Sequence, residues 1–304
     1  MASRSGHTLM RRWSSALCGA AVLLASGGLD AQPTFKSGID AVRLDVAVLR
    51  RGQPVAGLTA RDFSVLDNGV RQGVADVTLE EYPLSVVMVL DTSGSMAGGR
   101  LQHLIDAARG LLASLKPTDA ASLITFSEDV QLRVPLTRDR RALGAALDRL
   151  SANGPTSMRD ALWTALQLRH LEQTRPLALL FSDGIDTASW LSFSDLLTAT
   201  ERADTTVHIV ELLGERTATP AFGRFTPPPN MTLDRLANAG GGRKWSATSS
   251  SDLRELFTHA IGEMRARYLL TFYPEGPQAP GWHELKVTVN RGGDVTTRPG
   301  YFVP

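Results

Sequence analysis

Asp91-Thr92-Ser93-Gly94-Ser95 places a carboxylate and two hydroxyls at alternate positions, directly after a nearly continuous apolar run at residues 84–90. In a tight turn, Asp91, Ser93 and Ser95 can direct three oxygens at one point. Hard oxygen donors of this kind suit Mg²⁺, Mn²⁺ or Ca²⁺, and not zinc or copper. Two more oxygens have comparable settings. Thr156 lies in Asn153-Gly154-Pro155-Thr156, a loop that opens a helix, and Asp183 begins the turn Asp183-Gly184 after a buried run ending at Phe181. In open α/β sheets, ligands collect at the carboxyl ends of strands, near a change of strand order. A helix N-cap plus a turn would use the same residue types as Asp91, Ser93 and Ser95. The order and context of Thr156 and Asp183 favour the metal reading.

Other chemistries find no support. The chain has no Gly-x-x-x-x-Gly-Lys-[Ser/Thr] run, no His-Glu-x-x-His helix and no Gly-x-Ser-x-Gly elbow. Its one cysteine, Cys18, excludes a disulfide framework and a Cys-x-x-Cys centre. The six histidines are dispersed without metal spacing. With 32 Lys+Arg against 31 Asp+Glu in 304 residues, a formal charge of +1 gives no reason to propose nucleic acid as a partner. Asp186 reads as a solvated charge on the rim of the site, and Trp190 as an aromatic on that rim.

The elements that must hold these residues alternate. Apolar strands are expected at 84–90, 121–126, 177–181 and 207–212, with an antiparallel neighbour at 130–135. Between them, helical spacing covers 101–115, 140–150, 157–171, 193–203, 232–239 and 251–267. Residues 214–230, with Pro220, Pro227, Pro228 and Pro229, read as a long irregular loop. The fold class is α/β, a doubly wound, mostly parallel sheet flanked by helices. Both flanks are β-rich. Residues 42–48 alternate apolar and polar, 62–66 and 74–79 read as hairpin arms around Asp67-Asn68-Gly69, and 268–273, 284–290 and 295–302 have strand character. Neither flank can bury a core alone, so the two are expected to form one small β domain.

Asp-x-Ser-x-Ser, then a threonine in a glycine-containing loop, then an aspartate after a buried strand resemble the metal-ion-dependent adhesion site of von Willebrand factor type A domains. The resemblance implies that Ser93, Ser95 and Thr156 are direct or near-direct ligands of a divalent cation, Mg²⁺ first. Asp91 and Asp183 would bind directly or through water. Asp160 resembles an acidic residue often found one helical turn later, and is read as helix-start electrostatics. Pro155 departs from the glycine many members carry. More weakly, residues 55–63, 268–273 and 298–302 are similar to flanks of an exported bacterial family related to these domains.

Residues 1–31 have the layout of a secretory signal peptide: Arg4, Arg11 and Arg12, an apolar run at 16–25, then small residues to Ala31. The apolar run is shorter than the ~20 residues of a membrane span. The expected organisation is a signal peptide at 1–31, a β segment at 32–82, the α/β domain at 83–265 and a β segment at 266–304. The expected product is exported, periplasmic or extracellular, without a membrane span. The expected function is non-enzymatic: a metal-dependent, adhesion-type module whose cation takes a carboxylate from a protein partner. The alternatives are a metal-dependent phosphoester hydrolase, for which no general base is evident, and a structural subunit of an envelope assembly with a vestigial site.

Overall fold

A computed structural model of the chain describes residues 41–79, 82–213, 233–276 and 279–303. The signal peptide expected at 1–31 and the proline-rich stretch at 214–230 lie outside the described residues. The elements, in chain order, are β1 (Val42–Arg50), β2 (Gln53–Pro54), β3 (Phe63–Asp67), β4 (Val70–Gln72), β5 (Val74–Thr78), β6 (Leu84–Asp91), α1 (Gly99–Ser114), β7 (Ala120–Phe126), β8 (Val130–Thr137), α2 (Arg140–Leu147), α3 (Met158–Leu166), β9 (Arg175–Ser182), α4 (Phe193–Arg202), β10 (Thr206–Leu212), α5 (Leu233–Ala239), β11 (Lys244–Ala247), α6 (Ser250–Arg265), β12 (Tyr268–Phe272), β13 (Gly281–Val289), β14 (Asp294–Thr296) and β15 (Gly300–Val303).

The central sheet has six strands in the order β11-β10-β9-β6-β7-β8, parallel except for the β7–β8 hairpin. From β6 the chain first winds one way, through β7 to β8, then returns to β9 and winds the other way. The change of direction falls between β6 and β9. Every residue of β6 is buried, as a strand covered on both faces must be. Alternation along β6 divides its side chains. Leu84, Val86, Met88 and Leu90 join the core under α1, α2 and α6, whereas Val87 and Val89 join the core under α3, α4 and α5. This is the doubly wound α/β architecture expected from the sequence.

The flanks build two further sheets, β14-β1-β12-β5 with β2 on the side of β1, and β15-β13-β3-β4. Their shared core takes Leu44 and Val46 from β1, Leu270 and Phe272 from β12, Phe63 and Val65 from β3, and Leu285 and Val287 from β13. N-terminal and C-terminal strands thus interleave in both sheets.

Several expectations need correction. The run at 74–79 is not the partner arm of 62–66. The hairpin across Asn68 (φ 46°) and Gly69 (φ 80°) closes onto β4, and the chain then leaves at Gly73 so that β5 pairs with β12 in the other sheet. The expected strand at 295–302 is two strands separated by residues 297–299, where Pro299 can donate no ladder bond; β14 pairs with β1 and β15 with β13. The helix expected over 157–171 ends at Leu166. Its last turn tightens, with Gln167 N donating to Thr164 O and Leu168 N to Ala165 O, before Gln173 turns at φ 56°. The parallel edge strand β11 was not foreseen.

Candidate metal centre

Asp91 ends β6 and Asp183 follows β9, so both sit where the strand order reverses. Asp91 is fully buried. Its Oδ1 accepts from Ser93 N at 2.9 Å and Ser93 Oγ at 2.6 Å, and its Oδ2 accepts from Ser182 Oγ at 2.8 Å. With its proton given to Asp91, Ser93 Oγ keeps its lone pairs for Ser95 Oγ, 3.1 Å away, or for a cation. Ser93 is buried and Ser95 exposed, so the row of oxygens runs outward from the sheet.

The other two candidates arrive on loops stitched to this turn. Gly94 N donates to Gly154 O at 2.8 Å and Asn153 N to Thr92 O at 2.9 Å, which holds the 153–156 loop against the Asp91 turn. Gly154 adopts φ 74°, a conformation that glycine takes without penalty. Thr156 is buried; its N donates to Thr187 Oγ1 at 2.9 Å, and its carbonyl accepts from Thr187 N and Ala188 N. Asp183 is half-buried, accepts from Ile185 N at 3.2 Å and follows Ser182, which holds Asp91.

Burial pushes the Asp91 carboxyl above its ordinary pKa. The Ser93 and Ser182 hydrogen bonds oppose this, and the neighbouring charge of Asp183 adds to it. Among the described residues, no arginine or lysine pairs with Asp91. A buried carboxylate that has only hydroxyl and amide donors beside a second carboxylate is short of positive charge. A hard divalent cation would supply it, and this donor set of two carboxylates and three hydroxyls fits such an ion. Among the described residues, no cluster of three or more His, Cys, Asp or Glu side chains forms a metal site of another type.

Four supporting residues were not singled out for these roles from the sequence. Ser182 lies beside Asp91 because β6 and β9 pair in register, Leu90 against Phe181; a serine ending a buried strand was the available signal. Thr187 fixes Thr156. Asp160 does more than favour a helix start: its carboxylate accepts from Trp190 N and Leu191 N, both at 2.9 Å. Asp186 is not a solvated charge. It pairs with Arg159 at 3.1 Å and accepts from Arg159 N and Ser189 Oγ, so it is structural. Trp245 packs between His208 and His259, 4.8 and 5.6 Å from their ring centres.

Residues 86–185 match the family described as the von Willebrand factor type A domain. An uncharacterised protein of Synechocystis is 34% identical over 95 residues, 31% of this chain and 23% of that one. Inter-alpha-trypsin inhibitor heavy chain H4 of Homo sapiens is 34% identical over 122 residues, 35% of this chain and 13% of that protein. The chain thus spans less than a quarter of the length of these relatives. Among solved structures, a von Willebrand factor type A protein from Catenulispora acidiphila aligns at TM-score 0.50 and 16% identity, over 82% of this chain and 75% of that one. Proximal thread matrix protein 1 of the mussel byssus aligns at TM-score 0.50 and 12% identity, over 64% of this chain and 48% of that one. These two likenesses concern the fold.

Proposed function

We propose, from the premise that this chain carries a von Willebrand factor type A domain, that it is an exported, metal-dependent protein-binding module of the adhesion type. Asp91, Ser93, Ser95, Thr156 and Asp183 hold one divalent cation, Mg²⁺ first and Mn²⁺ or Ca²⁺ as substitutes. A carboxylate of a protein partner takes the position left open. The observation that carries this reading is the buried Asp91 carboxylate, which has only neutral donors and stands beside Asp183 at the reversal of strand order. Three of the five donors are uncharged hydroxyls, which leave a bound cation electron-poor, so an anionic oxygen from outside gains most. When bound, the cation supplies that attraction. The chain's own residues orient the donors: Ser182 and Ser93 fix Asp91, and Thr187 fixes Thr156. Export follows from the layout of residues 1–31.

Calorimetric titration with Mg²⁺, Mn²⁺ and Ca²⁺ tests the reading. The expected result is one cation per chain for the parent and none for Asp183→Ala or Ser93→Ala. In the absence of metal Asp183→Ala should melt near the parent, and Ser93→Ala, which removes a hydrogen bond to the buried Asp91 carboxylate, somewhat below it. No heat and no thermal shift with any of the three ions would overturn it.

A further inference from the structure

The loop from Asp183 to Ser192 carries the most exposed large hydrophobic side chain among the described residues. Trp190 is 97% exposed, and Ile185 on the same loop is 58% exposed. Soluble surfaces carry single exposed apolar residues without consequence. This loop differs in how firmly it is held. Thr187 N and Ala188 N donate to Thr156 O, Ser189 N and Oγ to Asp186, and Trp190 N and Leu191 N to Asp160. Leu191 packs against the core under α3 and α4 while its neighbour Trp190 faces solvent. A braced backbone therefore presents an uncovered indole.

The position of this loop is tied to the candidate metal centre. Ile185 is two residues from Asp183 and donates its N–H to that carboxylate. Trp190 is two residues from Ala188, whose N–H bonds the Thr156 carbonyl. Two residues of extended chain reach at most about 7 Å. Ile185 and Trp190 thus rise from the backbone next to two of the proposed ligands.

We propose that Ile185 and Trp190 form the apolar half of the partner-binding surface, and that the protein segment bound there carries an apolar side chain a few residues from its Asp or Glu. This rests on the carboxylate-binding reading and adds the chemistry of the partner. An indole offers a large, stiff apolar face at low entropic cost, the property that makes tryptophan an interface anchor. Beside the loop Arg159 is paired with Asp186 at 3.1 Å, so that arginine is already engaged and does not serve as the basic contact an anionic bilayer would need.

The test uses the full chain, immobilised with Mg²⁺, and a random linear peptide library displayed on phage. The parent is expected to enrich peptides with an acidic residue and an apolar residue at a fixed spacing, eluted by chelator. Trp190→Ala, whose melting should match the parent's because the indole packs on little, is expected to keep the acidic preference. It should lose the apolar one and bind the parent's best peptide at least about tenfold more weakly. Equal affinity and equal selection by Trp190→Ala would overturn the inference and leave the carboxylate reading standing. Failure to enrich any chelator-sensitive acidic peptide would overturn both. Trp190-dependent dimerisation, or Trp190-dependent pelleting with phosphatidylcholine vesicles, would assign the loop to another occupant and overturn the inference alone.

Discussion

His283→Phe gives the sharpest test of how the two ends of the chain are joined. His283 sits on β13, is nearly fully buried and faces acceptors on both sides. Its Nδ1 is 2.8 Å from Asp67 Oδ1, and its Nε2 is 2.8 Å from the Ala279 carbonyl. A carbonyl can only accept, so both bonds are satisfied together only when the ring carries two protons. Burial works against the charged ring, but the Ala279 carbonyl and the Asp67 carboxylate outweigh it and hold the pKa above its ordinary value. The Tyr301 hydroxyl donates to Asp67 Oδ2 at 2.7 Å; burial and that carboxylate push its own pKa up, so it remains a donor throughout. The bond to Asp67 is charge-assisted, about 1.5–3 kcal/mol, and the bond to Ala279 adds about 1 kcal/mol. The phenylalanine variant should therefore lose about 2.5–4 kcal/mol at about pH 5.5, where the ring is protonated in both states. Because the folded pKa is raised, this stabilisation is complete below the unfolded value of about 6.5 and is lost as pH rises through the folded value. By about pH 9 the neutral ring keeps its N–H bond to the Asp67 carboxylate and gives up the one to the Ala279 carbonyl, and the gap between parent and variant should narrow by about 1 kcal/mol. Urea unfolding followed by circular dichroism at both pH values measures it. A gap that stays constant or widens with pH would refute the doubly protonated ring.

Further substitutions probe a buried ion pair and two glycines. Arg267, fully buried, donates to Glu263 Oε1 at 2.7 Å and to the Gly241 carbonyl at 2.7 Å. Arg267→Met leaves the buried Glu263 carboxylate with Arg243, 3.3 Å from its other oxygen, and with His208, which burial holds neutral; it should cost about 3 kcal/mol in urea unfolding, and Glu263→Leu in the same chain, which frees the part-exposed Arg243, should restore part of the loss. At Gly242 an added Cβ would stand 1.9 Å from the Val207 carbonyl, whereas at Gly262 nothing lies within 4 Å. Gly242→Ala should lower stability by about 3 kcal/mol or more, and Gly262→Ala, inside α6, should raise it by up to about 1 kcal/mol, both read as shifts in thermal melting.

What could be read from the sequence is what depends on local pattern. The nearly continuous apolar run of β6 and the Asp-x-Ser-x-Ser turn after it announce a buried parallel strand with oxygens at its end, and the structure places both there. The fate of β5 could not be read, because Val74–Thr78 alternates weakly and its partner, β12, is nearly two hundred residues away. The strand β11 is four residues of mixed polarity, Lys244-Trp245-Ser246-Ala247, below the length at which period two is informative. Glu263 and Arg267 are four residues apart, as an exposed helix pair would be, and nothing in their local pattern says that both are buried. The support given to the site by Ser182, Thr187 and Asp160 depends on how separate loops meet, which no local window contains.

The arrangement of the two halves bears on how far a change at the site should spread. The α/β region enters after β5 and leaves before β12, and these two strands are neighbours, with Thr78 opposite Leu269. The whole α/β region is thus an insertion between adjacent strands of one β sheet. The fastenings lie at the starts of the parallel strands. Arg175, the first residue of β9, donates to the carbonyls of Met264 and Arg267 at 3.1 and 2.9 Å and pairs with Asp45 of β1 at 3.3 Å. Leu84 N, at the start of β6, donates to Asp119, which also pairs with Arg265 at the end of α6. Asp91 stands at the other end of β6, seven residues on from Leu84, which at ~3.3 Å per residue is roughly 23 Å away. The buried ion pairs that hold the insertion in place therefore share no partner with Asp91, Ser93 or Asp183. Effects at sites so far apart should add, so removing a proposed ligand should leave the fastened end, and the stability it confers, unaltered.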